Sequence, residues 1–274
     1  MKKILAVLLI GAFAFGQDGF VGDTFERGSV DYGNRTIRAT GIGFVPQNVI
    51  NPGQARRAAL RIAKTDALRQ MVEIVNGVVL TSETTMSGAM LDDVIKTQVE
   101  GVIRGAYQVG EPRYLSDTSI EVTYEVPMSG ISEVVIPPVA YSAPAALAET
   151  APGVVAPTPT SGPITGLIID ARGLNVRPAM SPVILDQNGN TVYGPGNYSR
   201  EYAVTNGVAG YSKDLDAAMA DPRVAGNPLV VKGVASSGSN STDVTVGNSD
   251  VMKISSADSR NGVLRDCRVL ILID

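Results

Sequence analysis

The chain reads as an α+β protein of two modules, and three observations point there. An apolar stripe at helical spacing runs from Pro52 to Asn76. Strand-type alternation follows it in IEVTYEV, residues 120–126. A Pro-, Ala- and Thr-rich break from Pro137 to Pro163 then separates these signals from a fresh set of apolar runs. The first module is expected as β-α-β-α-β-β, with its helices on one face of a small sheet, and the second as a mixed α/β module.

Lys2 and Lys3 precede the apolar run Ile4 to Phe15, and Ala14-Phe15-Gly16 supplies small residues for cleavage before Gln17. Residues 1–16 are therefore expected to be an export signal. The alternative is an uncleaved anchor, but roughly a dozen apolar residues fall short of the ~20 that span hydrocarbon. No other segment approaches that length, so no transmembrane span is expected after signal removal. Gln17 stands where a lipid-bearing cysteine would have to be. Residues 17–34 are rich in Gly and Asp with little periodicity, and a loose leader is expected there.

The first domain is expected over residues 35–132. Thr36 to Val45 is a strand, with Gly41 and Gly43 permitting a bend or close backbone approach. A Gly-x-Gly without a third glycine before the helix is a weak nucleotide signal. Asn51 caps and Pro52 opens the helix, and Asn76-Gly77 ends it. Leu60, Ala63, Ala67, Met71 and Ile74 form its inward stripe, with Arg57, Arg61 and Lys64 turned away. Val78 to Thr85 is β-prone. A second helix is expected from Ala89 to Arg104, with Leu91, Val94, Ile95, Val99 and Val102 facing inward. A hairpin closes the module: Ala106 to Leu115, a turn at Ser116-Asp117, then Ser119 to Val126.

Residues 133–163 are expected to be the linker and 164–274 the second domain. There, GLIIDA (166–171) and the run from Cys267 to Ile273 suit strands near the centre of a sheet. Pro182 to Asp186 pairs with Thr191 to Tyr193 across Gln187-Asn188-Gly189-Asn190. The same segment can be read as a calcium loop, but its glycine is early and no glutamate closes it, which favours a turn. Leu215 to Met219 is a short helix, and Leu229 to Val234 and Asp243 to Val246 are further strands.

Composition narrows the function. The 274 residues carry a formal charge of −4 and no histidine. A net acidic chain without a basic patch argues against nucleic acid as a partner. Without histidine the usual general base is absent, as are His-containing metal sites and serine triads; Ser181 has no activating base near it in sequence. The single Cys267 lies in an apolar run and is either a buried thiol or, if exposed, the means of an interchain disulfide. Asp170, Arg172, Arg177, Asp266 and Arg268 stand at strand ends, where they either terminate strands as ion pairs or, for Asp170, Arg172 and Arg177, hold a small charged ligand or glycan. Asn34, Asn197 and Asn240 fit the glycosylation triplet by chance. No catalytic, cofactor-binding or metal-ligating residue is assigned, and an enzyme is not expected.

Several stretches together resemble a known family: ATGIGFVPQN (39–48), NPGQARRAALRIAKTDALRQ (51–70), NGVVLTSETT (76–85), the acidic Leu91-Asp92-Asp93, and GAYQVGEPRYLSDTSIEVTYEVPM (105–128). Residues of about 36–130 are similar to the envelope domain of the Lpp-twenty lipoproteins, the flagellar FlgP proteins and the N-terminal part of FlgT. The resemblance implies an envelope protein, since members build rings or disks around the flagellar motor near the outer membrane. It covers no part of the second domain. This chain departs from the lipoprotein members in lacking their cysteine. The expectation is thus a periplasmic structural protein that associates with itself or with flagellar or other outer-membrane proteins. The alternative is a periplasmic binding module with its ligand in the second domain.

Overall fold

The computed structural model describes residues 20–45, 51–139 and 162–274. The segment expected to be an export signal and most of the one expected to be a linker lie outside these residues. Two sheets, one in each half of the chain, give the expected α+β architecture. Among the described residues no helix is long and apolar enough to cross a membrane.

The first sheet is antiparallel. β1 (Gly22–Phe25), β2 (Gly28–Asp31) and β3 (Thr36–Gly43) form a meander, and β3 pairs with β5 (Ile120–Pro127), which pairs with the edge strand β4 (Tyr107–Tyr114). Residues 22–31 were expected to be loose. They are strands too short to show alternation, fastened by Val21, Val30 and Tyr32, all of which are buried.

One helix covers one face of this sheet. α1 (Pro52–Gly77) starts where the Asn51 side chain accepts from the amides of Gly53 and Gln54, at 2.9 and 3.2 Å. Its buried row is Ala55, Ala59, Ala63, Ala67 and Met71, one residue per turn, with Ile74 and Val75; Leu60 is only partly covered. The small side chains let the helix backbone lie against β3. A Cβ on Gly41 would sit 2.1 Å from the Ala63 carbonyl oxygen, and one on Gly43 would sit 1.9 Å from that of Ala59. The Gly-x-Gly is thus a packing notch. Asp66 completes the joint, because its carboxylate takes the amide of Ile42 (3.0 Å) where β2 has ended, and also pairs with Arg27 and Arg69.

Past α1 the structure departs from expectation. Val78 to Thr85 adds no strand to this sheet; a single bridge joins Val79 to Thr85 within a tight turn. The helix expected from Ala89 to Arg104 is two: α2 (Met86–Ala89) and α3 (Asp93–Arg104), the latter capped by the Asp92 carboxylate. The earlier start puts Met86 in the core and turns Leu91 and Val94 outward, 86% and 64% exposed; Val99 and Ile103 face in. α4 (Met128–Val135) continues directly from β5 and buries Met128 and Ile131, so the first three residues assigned to the linker are helical and Ile136 is buried.

The second sheet is mixed, in the order β8-β7-β11-β10-β6-β12-β9. Its strands are β6 (Leu167–Asp170), β7 (Ile184–Leu185), β8 (Thr191–Tyr193), β9 (Gly210–Ser212), β10 (Leu229–Ser237), β11 (Asp243–Val246) and β12 (Val269–Leu272). β10, β6, β12 and β9 run parallel. Both LIID and VLIL are interior strands, and VLIL is buried on both faces. Ile168, Leu270 and Leu272 pack with Ala218 of α6 (Leu215–Ala220) and with Val224. Leu167, Ile169, Val269 and Ile271 take the other side, with Ile254 of α7 (Asn248–Asn261), a helix the sequence reading did not include. The remaining helix, α5 (Arg200–Asn206), lies beside α4. In the β7–β8 hairpin the Asp186 carboxylate accepts 2.8 Å bonds from the amides of Asn188 and Asn190 and from the Asn190 side chain, so its oxygens serve the turn.

The two halves share one apolar cluster that includes Met71, Ile103 and Ile131 from the first and Met180, Ile271 and Tyr211 from the second. The β-prone run after α1 is the clasp between them. The carbonyls of Val79 and Leu80 accept from the amides of Met180 and Ser181, at 3.0 and 2.8 Å. Ser82 and Glu83 hold Asn240 and Ser239. On the other flank Arg200 donates to the carbonyls of Ile136 and Glu133, and the Tyr32 and Tyr211 rings meet edge to face, their centroids 5.9 Å apart.

Candidate functional site

Where the seam opens to solvent it leaves a cavity of about 680 Å³. Its floor is the amino-terminal side of the parallel strands: Thr165, Gly210, Cys267 and Arg268. The Gly33–Arg35 turn of the first domain forms one wall. The end of α5, with Tyr202, Thr205 and Asn206, forms a second, and Asp221 to Arg223 form a third.

Two guanidiniums meet at the end of α5. Helices leave their last carbonyls unpaired, with a partial negative charge there. Arg35 donates to the carbonyls of Thr205 and Val204, the latter at 3.1 Å. Arg223 donates to those of Asn206, Gly207 (3.1 Å) and Cys267 (2.9 Å). Two glycines make room for them: a Cβ on Gly207 would lie 2.9 Å from Arg35 Nε, and one on Gly210 would lie 2.9 Å from Arg223 Nε. Among the described residues neither arginine has a carboxylate within ion-pair distance. Burial, and then the charge of Arg223, bring the Arg35 guanidinium down to about 10.

Asp266 also lines the cavity, but it is buried and shared by Arg265 (2.8 Å) and Arg268 (3.4 Å). Cys267 is buried, and desolvation pushes its thiol up to about 11, which places it as an inert core residue rather than a disulfide partner. Arg35 and Cys267 both adopt left-handed backbone, with φ of 55° and 52°. That conformation is uncommon for residues with a side chain.

The ligand clamp considered from the sequence does not form. Asp170 and Arg172 close on each other through bonds of 2.8 and 2.7 Å at the carboxyl end of β6. That pairing, against some desolvation, holds the Asp170 carboxyl below its usual range. Arg177 lies elsewhere, with its charge acting on Tyr32 across the seam. Ser181 Oγ is buried 3.4 Å from the Tyr198 hydroxyl. Of the strand-end residues, only Asp266 and Arg268 reach the cavity. Arg35 and Arg223 carried no signal in the sequence, since the fold alone brings them together.

Charged residues on the helices of the first domain are at its surface. Arg57, Arg61 and Lys64 are all exposed on α1, and the Lys64 ammonium lies over the Tyr124 ring, 5.6 Å from its centroid. Asp92 serves as the α3 cap, and Asp93 is exposed beside Leu91 and Val94.

Residues 166–274 match the family model of the second domain of Treponema pallidum Tp0624. The matched segment is thus the second sheet and its helices, and it begins beside the boundary expected at residue 164. No curated protein matches the chain.

Proposed function

We propose that the protein is an exported structural component of the bacterial envelope, assembling with further copies of itself and with flagellar or other outer-membrane proteins through its first domain. The observation that carries this reading is the corner at the start of α3, where Leu91 and Val94 stand exposed beside Asp92 and Asp93. Large apolar side chains that could have faced the core instead face solvent, next to two acidic residues and ahead of the exposed Lys96. The complementary charge, Arg57 and Arg61, is on α1 of the same domain. Contact between these two unlike patches is heterologous, and repeated it closes a ring or extends a filament. The export signal and the resemblance of the first domain to ring-forming envelope proteins support the same reading.

Light scattering across protein concentration and salt tests it. Association should weaken as salt rises, because exposed charges are screened within ~10 Å at ~0.1 M. Both Leu91→Asp and Arg57→Glu should shift the chain toward monomer. A monomer at every concentration and ionic strength would overturn the proposal.

A further inference from the structure

We propose that the seam cavity binds a small ligand through a carboxylate or phosphate group, held between Arg35 and Arg223. This goes beyond the assembly reading and is independent of it, since a monomer offers the same cavity.

Charge is the first argument. Three guanidiniums, those of Arg35, Arg223 and Arg268, line the cavity against the carboxylates of Asp221 and Asp266. Arg265 adds a further positive charge on Asp266. The end of α5 supplies only about half a negative charge, too little to neutralise two guanidiniums. Among the described residues no carboxylate pairs with either arginine to relieve the repulsion that helps lower Arg35, and an anion would relieve it. Asp221 accepts the backbone amide of Arg223 at 2.8 Å, at the turn after α6, and its carboxylate makes no ion pair with either guanidinium among the described residues.

Space and shape are the second argument. About 680 Å³ falls in the range of small-molecule sites, ~300–1,000 Å³. Capping α5 would need carbonyl contacts but no cavity. Here the arginines use some N–H groups on the helix end, while the cavity opens beside them. Tyr202, 41% exposed on the wall, offers an aromatic face for the body of a ligand. Arg35 and Cys267, both lining the cavity, hold left-handed backbone, and such strain collects at ligand sites.

The test is NMR of the arginine Nε–Hε groups in the full chain at constant ionic strength, titrated with inorganic phosphate and separately with glucuronate. Saturable shifts of Arg35 and Arg223 with phosphate alone would assign a phosphate-bearing ligand. Saturation with glucuronate alone would assign a carboxylate. Arg223→Gln should abolish the response. Should that variant fail to fold, Arg268→Gln, at a half-exposed side chain of the cavity lining, should weaken binding by about two- to fivefold, the size of an exposed charge contact. Shifts no larger than those produced by chloride, or equal shifts at arginines remote from the cavity, would overturn the proposal.

Discussion

The two sheets bury their surfaces in different ways. The first is antiparallel and leaves one face polar, where cross-strand pairs do the work: Arg38 with Glu125, Thr40 with Thr123 at 3.0 Å, and Arg113 with Glu121 at 2.7 Å. The second carries apolar side chains on both faces of β6 and β12 and covers both. An antiparallel sheet tolerates a solvated face, whereas parallel strands require cover on two sides. In this protein part of that cover belongs to the other half, because one apolar cluster runs from Met71 to Ile271. The two sheets are separate in topology but joined in packing.

Ile271→Ala breaks the comparison hardest. Ile271 is fully buried at the shared cluster, and such truncations cost about 2–5 kcal/mol. Thr123→Ala, on the open face of the first sheet, should cost well under that, about 1 kcal/mol at most. Denaturant unfolding would measure both. With the core continuous, probes placed in either half should report one coincident transition. Separate midpoints would show that the seam carries little energy.

Gly41→Ala should come next, at about 1–3 kcal/mol, the usual cost of overpacking. The added Cβ meets backbone atoms of α1 rather than a yielding side chain. The same change at Gly101, where a Cβ would meet nothing within 4 Å, should stabilise its helix slightly. Thermal melts of the two variants should therefore move in opposite directions; a shared direction would remove the notch from the account of how α1 packs.

This contrast also explains what could be read in the sequence. α1 and the β4–β5 hairpin announce themselves by periodicity, and LIID and VLIL by unbroken apolar runs. β1 and β2 are too short to show a period. α7 hides because it buries little beyond Ile254 and Ala257 among polar residues. Val78 to Thr85 has the composition of a strand, but it folds back on itself and gives the carbonyls of Val79 and Leu80 to another domain, and nothing local signals that. The cavity is the extreme case: Arg35 sits in a turn and Arg223 after a short helix, 188 positions later in the chain.

The smallest effect expected is on acid stability, and it separates a long-range carboxylate from a local one. Burial alone would raise the Asp66 carboxyl, but the Ile42 amide and the guanidiniums of Arg69 and Arg27 outweigh it and hold it below the usual range. A carboxyl lowered by folding stabilises the protein above its unfolded value near 3.9, and that contribution fades as pH falls through the folded value. Asp170 is lowered too, chiefly by Arg172 two positions away, a partner the unfolded chain also keeps close. The folded-to-unfolded difference should therefore be larger for Asp66, whose partners Ile42 and Arg27 come from distant sequence. Asp66→Asn should flatten the loss of stability below about pH 4 more than Asp170→Asn does, measured by urea unfolding at stepped pH. Equal flattening would mean that Asp66 owes its lowered value to Arg69 on its own helix rather than to the joint between α1 and β3.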